Sequence, residues 1–256
     1  MLAIRRKAQR VVEKLVGVDF EHTEGRSFFV IDAAKRGAAW YSYRSVLRTV
    51  LQTHQIDHVL DVGANTGQFG RALRPVYAGR ISSFEPVSDS FQKLEAKIRS
   101  DGDWHAYNFA LGSSEGTQTI HVSPSTVFSS LLKSNDYCAA KFGERSVGSR
   151  EELITIRRLD AVLDELAADG TLRRIFLKLD TQGFDTEVFK GLGSRLDDVL
   201  VLQSEISLIP IYDNMPHWTE SLALYESAGF GVAGMFPVNW DDGRVVEYDC
   251  LLTRKR

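Results

Sequence analysis

Short apolar runs alternate with longer amphipathic stretches along most of this chain, and the spacing is that of strands followed by helices. His58-Val59-Leu60-Asp61-Val62 is an apolar run that enters Gly63-Ala64-Asn65-Thr66-Gly67, after which Gln68 to Arg74 has helical periodicity. Arg80 to Phe84 ends on Glu85-Pro86 and leads into a predicted helix, Ser88 to Arg99. A third strand is expected over Trp104 to Ala110, following the turn Asp101-Gly102-Asp103. Ile175 to Leu179 and Val199 to Ser204 are further apolar strands ending on Asp180 and Glu205, with helices predicted over Asp185 to Gly191 and Thr219 to Ala228. Strands alternating with helices require parallel crossovers, so the pattern predicts an α/β fold, a mostly parallel, doubly wound, Rossmann-like sheet.

Three segments depart from that rhythm. Ile4, Ala8, Val11, Val12 and Leu15 share one helical face opposite Arg6, Arg10 and Lys14, Ser27 to Asp32 reads as a strand, and Trp40 to Gln55 as a helix. Residues 1–55 are therefore expected to be an N-terminal helical extension packed on a core domain of residues 56–256. Its basic helix suits a docked surface element, with peripheral contact to an anionic membrane as a second use. Between Gly112 and Arg158, a β-rich stretch (Thr117 to Val122) and Ser/Gly-rich turns are too long for a bare connection, so a lid or edge hairpin is expected at about 113–158. Gly231 to Val238 and Val245 to Thr253, joined through Asp242-Gly243, predict an antiparallel hairpin that closes the sheet.

Composition narrows the class. With 256 residues, 43% hydrophobic, 25% charged, 14 Phe and 4 Trp, the chain can bury a core as one domain with an insertion. Its 31 basic and 34 acidic residues give a net charge of −3, which supplies no field for a polyanion, so the expected partner is a small molecule and not nucleic acid. Cys138 and Cys250 form no disulfide or zinc pattern and read as buried thiols of a cytoplasmic protein. No apolar run reaches transmembrane length.

In an open α/β sheet, ligands bind at the carboxyl ends of the strands where the order reverses. Gly63 and Gly67 permit a tight turn and close approach of a ligand to the backbone, and the amides that follow can meet a carboxylate. Glu85 ends the next strand, where a carboxylate accepts hydrogen bonds from ribose hydroxyls, and Asp61 can face an ammonium. Together these describe a nucleoside with a charged tail. A nicotinamide-dependent oxidoreductase is the alternative, but its Gly-x-Gly-x-x-Gly fingerprint is broken by Asn65, whose side chain would stand where a pyrophosphate meets the backbone. The carboxylates at the other strand ends, Asp180 and Glu205, and His217 in the loop Ser207 to Trp218 are the candidate proton acceptors, Asp180 first by position. The structural reading of Asp180 is a helix cap or an anchor for Lys178 or Gln182. Paired acids raise a divalent metal, which no tight carboxylate–His spacing demands.

The stretches Leu60-Asp61-Val62-Gly63-Ala64-Asn65-Thr66-Gly67, Phe84-Glu85-Pro86, Asn108-Phe109-Ala110-Leu111-Gly112, Ser129-Ser130-Leu131 and Lys178-Leu179-Asp180-Thr181-Gln182-Gly183-Phe184-Asp185 resemble the FkbM family of methyltransferases. The resemblance runs from about His58 to Phe230 and departs at Asp185, where the family commonly shows Glu. It implies a class I methyltransferase fold, S-adenosyl-L-methionine as donor, and oxygen acceptors on sugars or polyketides. It also implies that Asp61, Gly63 and Asn65 line the methionine end, Glu85 the ribose, and Asn108 and Ala110 the adenine, with Ser129 and Ser130 ordering a lid. The expected activity is O-methylation of a saccharide hydroxyl on a glycolipid or glycosylated natural product, with Tyr212 and Trp218 placed to stack on a sugar face. Intact Asp61, Gly63 and Glu85 argue against a methyltransferase-like domain that only binds a partner.

Overall fold

A computed structural model describes residues 43–167 and 172–255. The expected basic helix and the strand at 27–32 lie outside the described residues, and the helix expected over 40–55 is helical at 43–53 (α1). The chain divides into two units between Thr49 and Val50, and the architecture that follows is that of the second.

β1 (His58–Val62), β2 (Arg80–Phe84) and β3 (Trp104–Tyr107) alternate with α2 (Gln68–Leu73) and α3 (Ser88–Ile98). The chain then runs through β4 (Ala110–Gly112), β5 (Gly116–Val122), α4 (Asp136–Phe142) and β6 (Arg150–Arg158). It returns by α5 (Leu159–Leu166) to β7 (Ile175–Leu179), α6 (Asp185–Lys190), β8 (Val199–Ser207), α7 (Trp218–Ser227), β9 (Phe230–Asp241) and β10 (Arg244–Arg254). A seven-stranded sheet has the order β3-β2-β1-β7-β8-β10-β9. Its first five strands are parallel, and β10 is antiparallel to both neighbours. This is the doubly wound, Rossmann-like arrangement that the alternation predicted, and the class I methyltransferase fold that the family resemblance implied.

β1 and β7 are buried at every position, which is why their sequences are continuous apolar runs and not alternating ones. They are the neighbours at which strand order reverses, so the chains leaving their carboxyl ends diverge and open a crevice. The Asp-Gly signal at the end of the chain is realised as a two-residue turn with Asp242 at φ 44° and Gly243 at φ 77°, the left-handed pair that a tight hairpin needs. It is the last strand, β10, that lies beside β8, and β9 takes the edge.

Two expectations need correction. The single strand expected over Trp104 to Ala110 is two strands in different sheets, with Asn108 between them donating from Nδ2 to the carbonyls of Glu85 (2.9 Å) and Pro86 (3.0 Å). The excursion after Gly112 is not an edge hairpin of the main sheet. It builds a separate three-stranded sheet, β4-β6-β5, over its own core of Val87, Ala110, Ile120, Val122, Ile154 and Ile156. Cys138 and Cys250 are free and buried, and no helix among the described residues is long and apolar enough to cross a membrane.

The end of α6 seats directly on β4, since a Cβ added at Gly191 would lie 2.0 Å from the carbonyl oxygen of Gly112. Gly191→Ala is therefore expected to lower unfolding free energy by about 1–3 kcal/mol through steric displacement alone. Urea denaturation measures this, and an unchanged midpoint would show that the contact yields freely.

Candidate active site

The turn after β1 is built on left-handed residues, with Gly63 at φ 76°, Asn65 at φ 48° and Gly67 at φ 82°. Gly63 is required twice, by its φ and because a Cβ there would lie 2.0 Å from the carbonyl oxygen of Asp180. This turn and the end of β2 hold one another. The amides of Gly63 and Ala64 both donate to the Phe84 carbonyl at 3.0 Å. The Asn65 amide donates to Glu85 Oε2 (2.7 Å) and the Val87 amide to Oε1 (2.8 Å). Burial pushes the Glu85 carboxyl up to about 7, against the pull of these two amides.

Lys178 interrupts the apolar run of β7 and is buried, 3.0 Å from Asp61 Oδ1 and 3.2 Å from Asp180 Oδ2. It stands opposite Asp61 in the strand register. Burial works against its ammonium, but the two carboxylates outweigh it and hold Lys178 above its ordinary value. Asp61 is fully buried, and its Oδ2 accepts from Ser83 Oγ at 3.3 Å.

Beyond β7 the chain turns through left-handed Gln182 (φ 56°) and Gly183 (φ 94°). One amide group, Nε2 of Gln182, donates to Asp180 Oδ1 (3.0 Å) and to Glu205 Oε2 (2.6 Å), while Gln182 Oε1 accepts from the Tyr212 hydroxyl (2.7 Å). Asp185, the departure from the family pattern, is committed to structure. Its carboxylate accepts from the Thr181 amide (2.8 Å) and hydroxyl (2.5 Å), the Ser204 hydroxyl (2.8 Å) and the Glu205 amide (3.1 Å). Burial and the neighbouring acids Glu247, Asp180 and Asp249 raise Glu205 well above the usual carboxylate range. Burial likewise raises Glu247, and takes Asp249 to about 6.

A cavity of about 490 Å³ joins these parts. Gly63, Asn65, Glu85, Ala110, Ser129, Asp180 and Glu205 line it, together with Lys178, Gln182, Asn239 and Glu247, which the motifs did not assign to the site. Lys178 had a signal, a lysine inside an apolar strand; Asn239 and Glu247 had none, because only strand pairing brings the terminal hairpin here. The segment 123–135 covers one side. Thr126 Oγ1 donates to Asn65 Oδ1 (3.0 Å) and Ser130 Oγ to the Gln182 carbonyl (2.7 Å).

The other expected site residues do not line this cavity. Asp61 lies behind Lys178, and Gly67 faces Leu94 and Trp104. Asn108 braces the Glu85-Pro86 turn, and Ser130 and Tyr212 hold Gln182. His217 is the exposed N-cap of α7, with Nδ1 accepting from the Thr219 amide (3.4 Å) and its own amide donating to Glu220 Oε2 (3.1 Å). That capping box spends its ring on the helix. Trp218 begins the same helix and packs on the main core. Asp180 caps nothing, since the N-cap of α6 is Phe184; it is an anchor for Lys178 and Gln182. No group of three or more His, Cys, Asp or Glu among the described residues has metal-holding geometry.

A profile of the Methyltransferase FkbM domain matches residues 61–232. No curated protein matches the chain. Among solved structures, it is similar to Aeropyrum pernix fibrillarin with natively bound S-adenosyl-L-methionine, at 10% identity and a TM-score of 0.43, over 77% of this chain and 66% of that one. It is also similar to the magnesium protoporphyrin IX methyltransferase of Synechocystis PCC 6803, at 10% identity and a TM-score of 0.43, over 91% and 87%. An rRNA methylase from Streptococcus thermophilus gives 10% identity and a TM-score of 0.44, over 85% and 97%. At this level of likeness no function transfers from those proteins.

An ionised carboxylate accepts from ribose hydroxyls more strongly, and on both oxygens, than a protonated carboxyl does, and burial pushes the Glu85 carboxyl up to about 7. Affinity for adenosylhomocysteine is thus expected to fall as pH drops through that value and to level off above it. Calorimetry across the range checks this, and Glu85→Gln should flatten the dependence and weaken binding by about 1.5–3 kcal/mol. A wild-type affinity independent of pH would separate Glu85 from the ligand.

Proposed function

The chain belongs to the FkbM methyltransferase family and uses S-adenosyl-L-methionine as its methyl donor, and on that premise we propose that it methylates a hydroxyl oxygen of a saccharide carried on a glycolipid or glycosylated natural product. What supports this reading is one continuous cavity with two chemically different ends. One end has the bare Gly63 backbone, the Glu85 carboxylate and the apolar Phe84, Ala110 and Leu111, which fit a ribose and an adenine. The other end presents the amides of Gln182 and Asn239 and the carboxyls of Glu205 and Glu247, which suit an acceptor rich in hydroxyls.

Bound adenosylmethionine supplies a methyl group on a sulfonium, an electrophile that needs an aligned nucleophile. In this reading Glu205 takes the acceptor's proton as the oxygen–methyl bond forms and the methyl–sulfur bond breaks. Oε1 of Glu205 carries no hydrogen bond among the described residues, which leaves it for the acceptor, whereas each Asp180 oxygen already has one partner, Gln182 or Lys178. Burial and the neighbouring carboxylates raise the proton affinity of Glu205 above that of an ordinary carboxylate, the direction that favours a general base. Gln182 fixes the carboxylate's orientation, and segment 123–135 limits access of water.

Incubating the protein with methyl-labelled adenosylmethionine and saccharide or glycolipid pools is expected to give labelled products whose methyl group survives alkali, as an ether does and an ester does not. Label appearing only on nitrogen or on alkali-labile carboxyl groups would overturn oxygen-ether transfer. With an acceptor in hand, Glu205→Gln is expected to lower turnover by roughly 10²-fold or more while adenosylhomocysteine still binds as in the wild type. Near-full activity in that variant would remove Glu205 as the base.

A further inference from the structure

Adenosylmethionine carries an α-ammonium, and the acidic residue that motif reading offers to it, Asp61, is out of reach. Its side chain has no solvent exposure, and its carboxylate is taken by Lys178 on one oxygen and Ser83 on the other. Lys178 stands between Asp61 and Asp180, 3.0 Å from one carboxylate and 3.2 Å from the other.

We propose that Asp180, not Asp61, receives the ammonium of the donor's methionine tail. This rests on the adenosylmethionine reading of the cavity and adds the position of one group of that ligand. Asp180 lines the cavity with its side chain 40% exposed. It is fixed against the donor turn, because its carbonyl oxygen fills the space where a Cβ of Gly63 would be. Among the described residues each Asp180 oxygen has one partner, Gln182 on Oδ1 and Lys178 on Oδ2, so a lone pair on each is left to accept from an ammonium. Charge favours the same place. Asp61, Lys178 and Asp180 sum as charged groups to one excess negative charge in a largely buried row, and a ligand ammonium at the cavity end completes an alternating series of four charges. Lys178 is a positioning residue in this arrangement, holding Asp180 at the mouth and closing off Asp61.

Calorimetry with two ligands isolates the ammonium: adenosylhomocysteine, and its deamino analogue, which keeps the nucleoside, the sulfur and the carboxylate. The wild type is expected to prefer adenosylhomocysteine by roughly 10- to 100-fold, the scale of a charge-assisted hydrogen bond. In Asp180→Asn that preference should collapse to about unity, by loss of adenosylhomocysteine affinity with the deamino analogue unaffected, which also shows that the variant is folded. In Asp61→Asn the preference should persist even where both affinities fall. A preference that survives Asp180→Asn, or that is lost only in Asp61→Asn, overturns the assignment while leaving the donor in place. A wild type that binds neither ligand would instead refute the donor reading beneath it.

Discussion

The ammonium of Lys178 is buried at the point where β1 and β7 come apart, between a carboxylate from each strand. Most of what the crevice does depends on this contact. Without it, Asp61 would be an uncompensated charge in a parallel sheet, and breaking a buried pair of this kind costs about 3–5 kcal/mol. With it, the two strand ends are tied together, and Gly63 lies against the Asp180 backbone at the floor of the cavity. The ring of Phe69, with its centroid 5.4 Å from Nζ, adds a cation–π contact from the helix that follows the donor turn. The same cation therefore joins the β1–turn–α2 unit to the end of β7, two regions distant in sequence.

Around this junction the polar groups are economical. A single Gln182 side chain meets Asp180, Glu205 and Tyr212, and a single Asp185 side chain ties the Thr181 turn to the end of β8. The acids beyond them, Glu205, Glu247 and Asp249, form no ion pair among the described residues, and burial with repulsion from neighbouring carboxylates raises all three. The cavity is thus graded, from an ion-paired donor side to a side where carboxyls retain protons at higher pH. The oxygen transfer proposed above would use that asymmetry, one side binding fixed charge and the other accepting a proton.

The inserted sheet completes the enclosure from outside the main fold. It has its own apolar core, and it reaches the donor turn through Thr126–Asn65 and the acceptor turn through Ser130–Gln182. The covering segment is thereby hydrogen-bonded to left-handed turns on either side of the cavity.

Local pattern determined the alternation of strands and helices, the Asp-Gly hairpin, and the chemical types at the strand ends, because apolar period and turn chemistry act over a few residues. From it came the Gly63 to Gly67 turn, Glu85, and the acids Asp180 and Glu205, of which Gly63, Ala64, Asn65, Glu85, Asp180 and Glu205 line the cavity. It did not determine what each acid faces. Asp61 and Asp180 look alike in sequence, two strand-end carboxylates, yet pairing between β1 and β7 places Lys178 against Asp61 and encloses it. His217 resembled a loop base and became a helix cap, because Thr219 and Glu220 offered its ring and backbone nearer partners. Glu247 and Asn239 reached the cavity only because β10 inserted beside β8, a choice between strand orders that no local window contains. Which charged groups meet ligand and which meet one another is a question of register and strand order, and those are set by contacts between segments far apart in the chain.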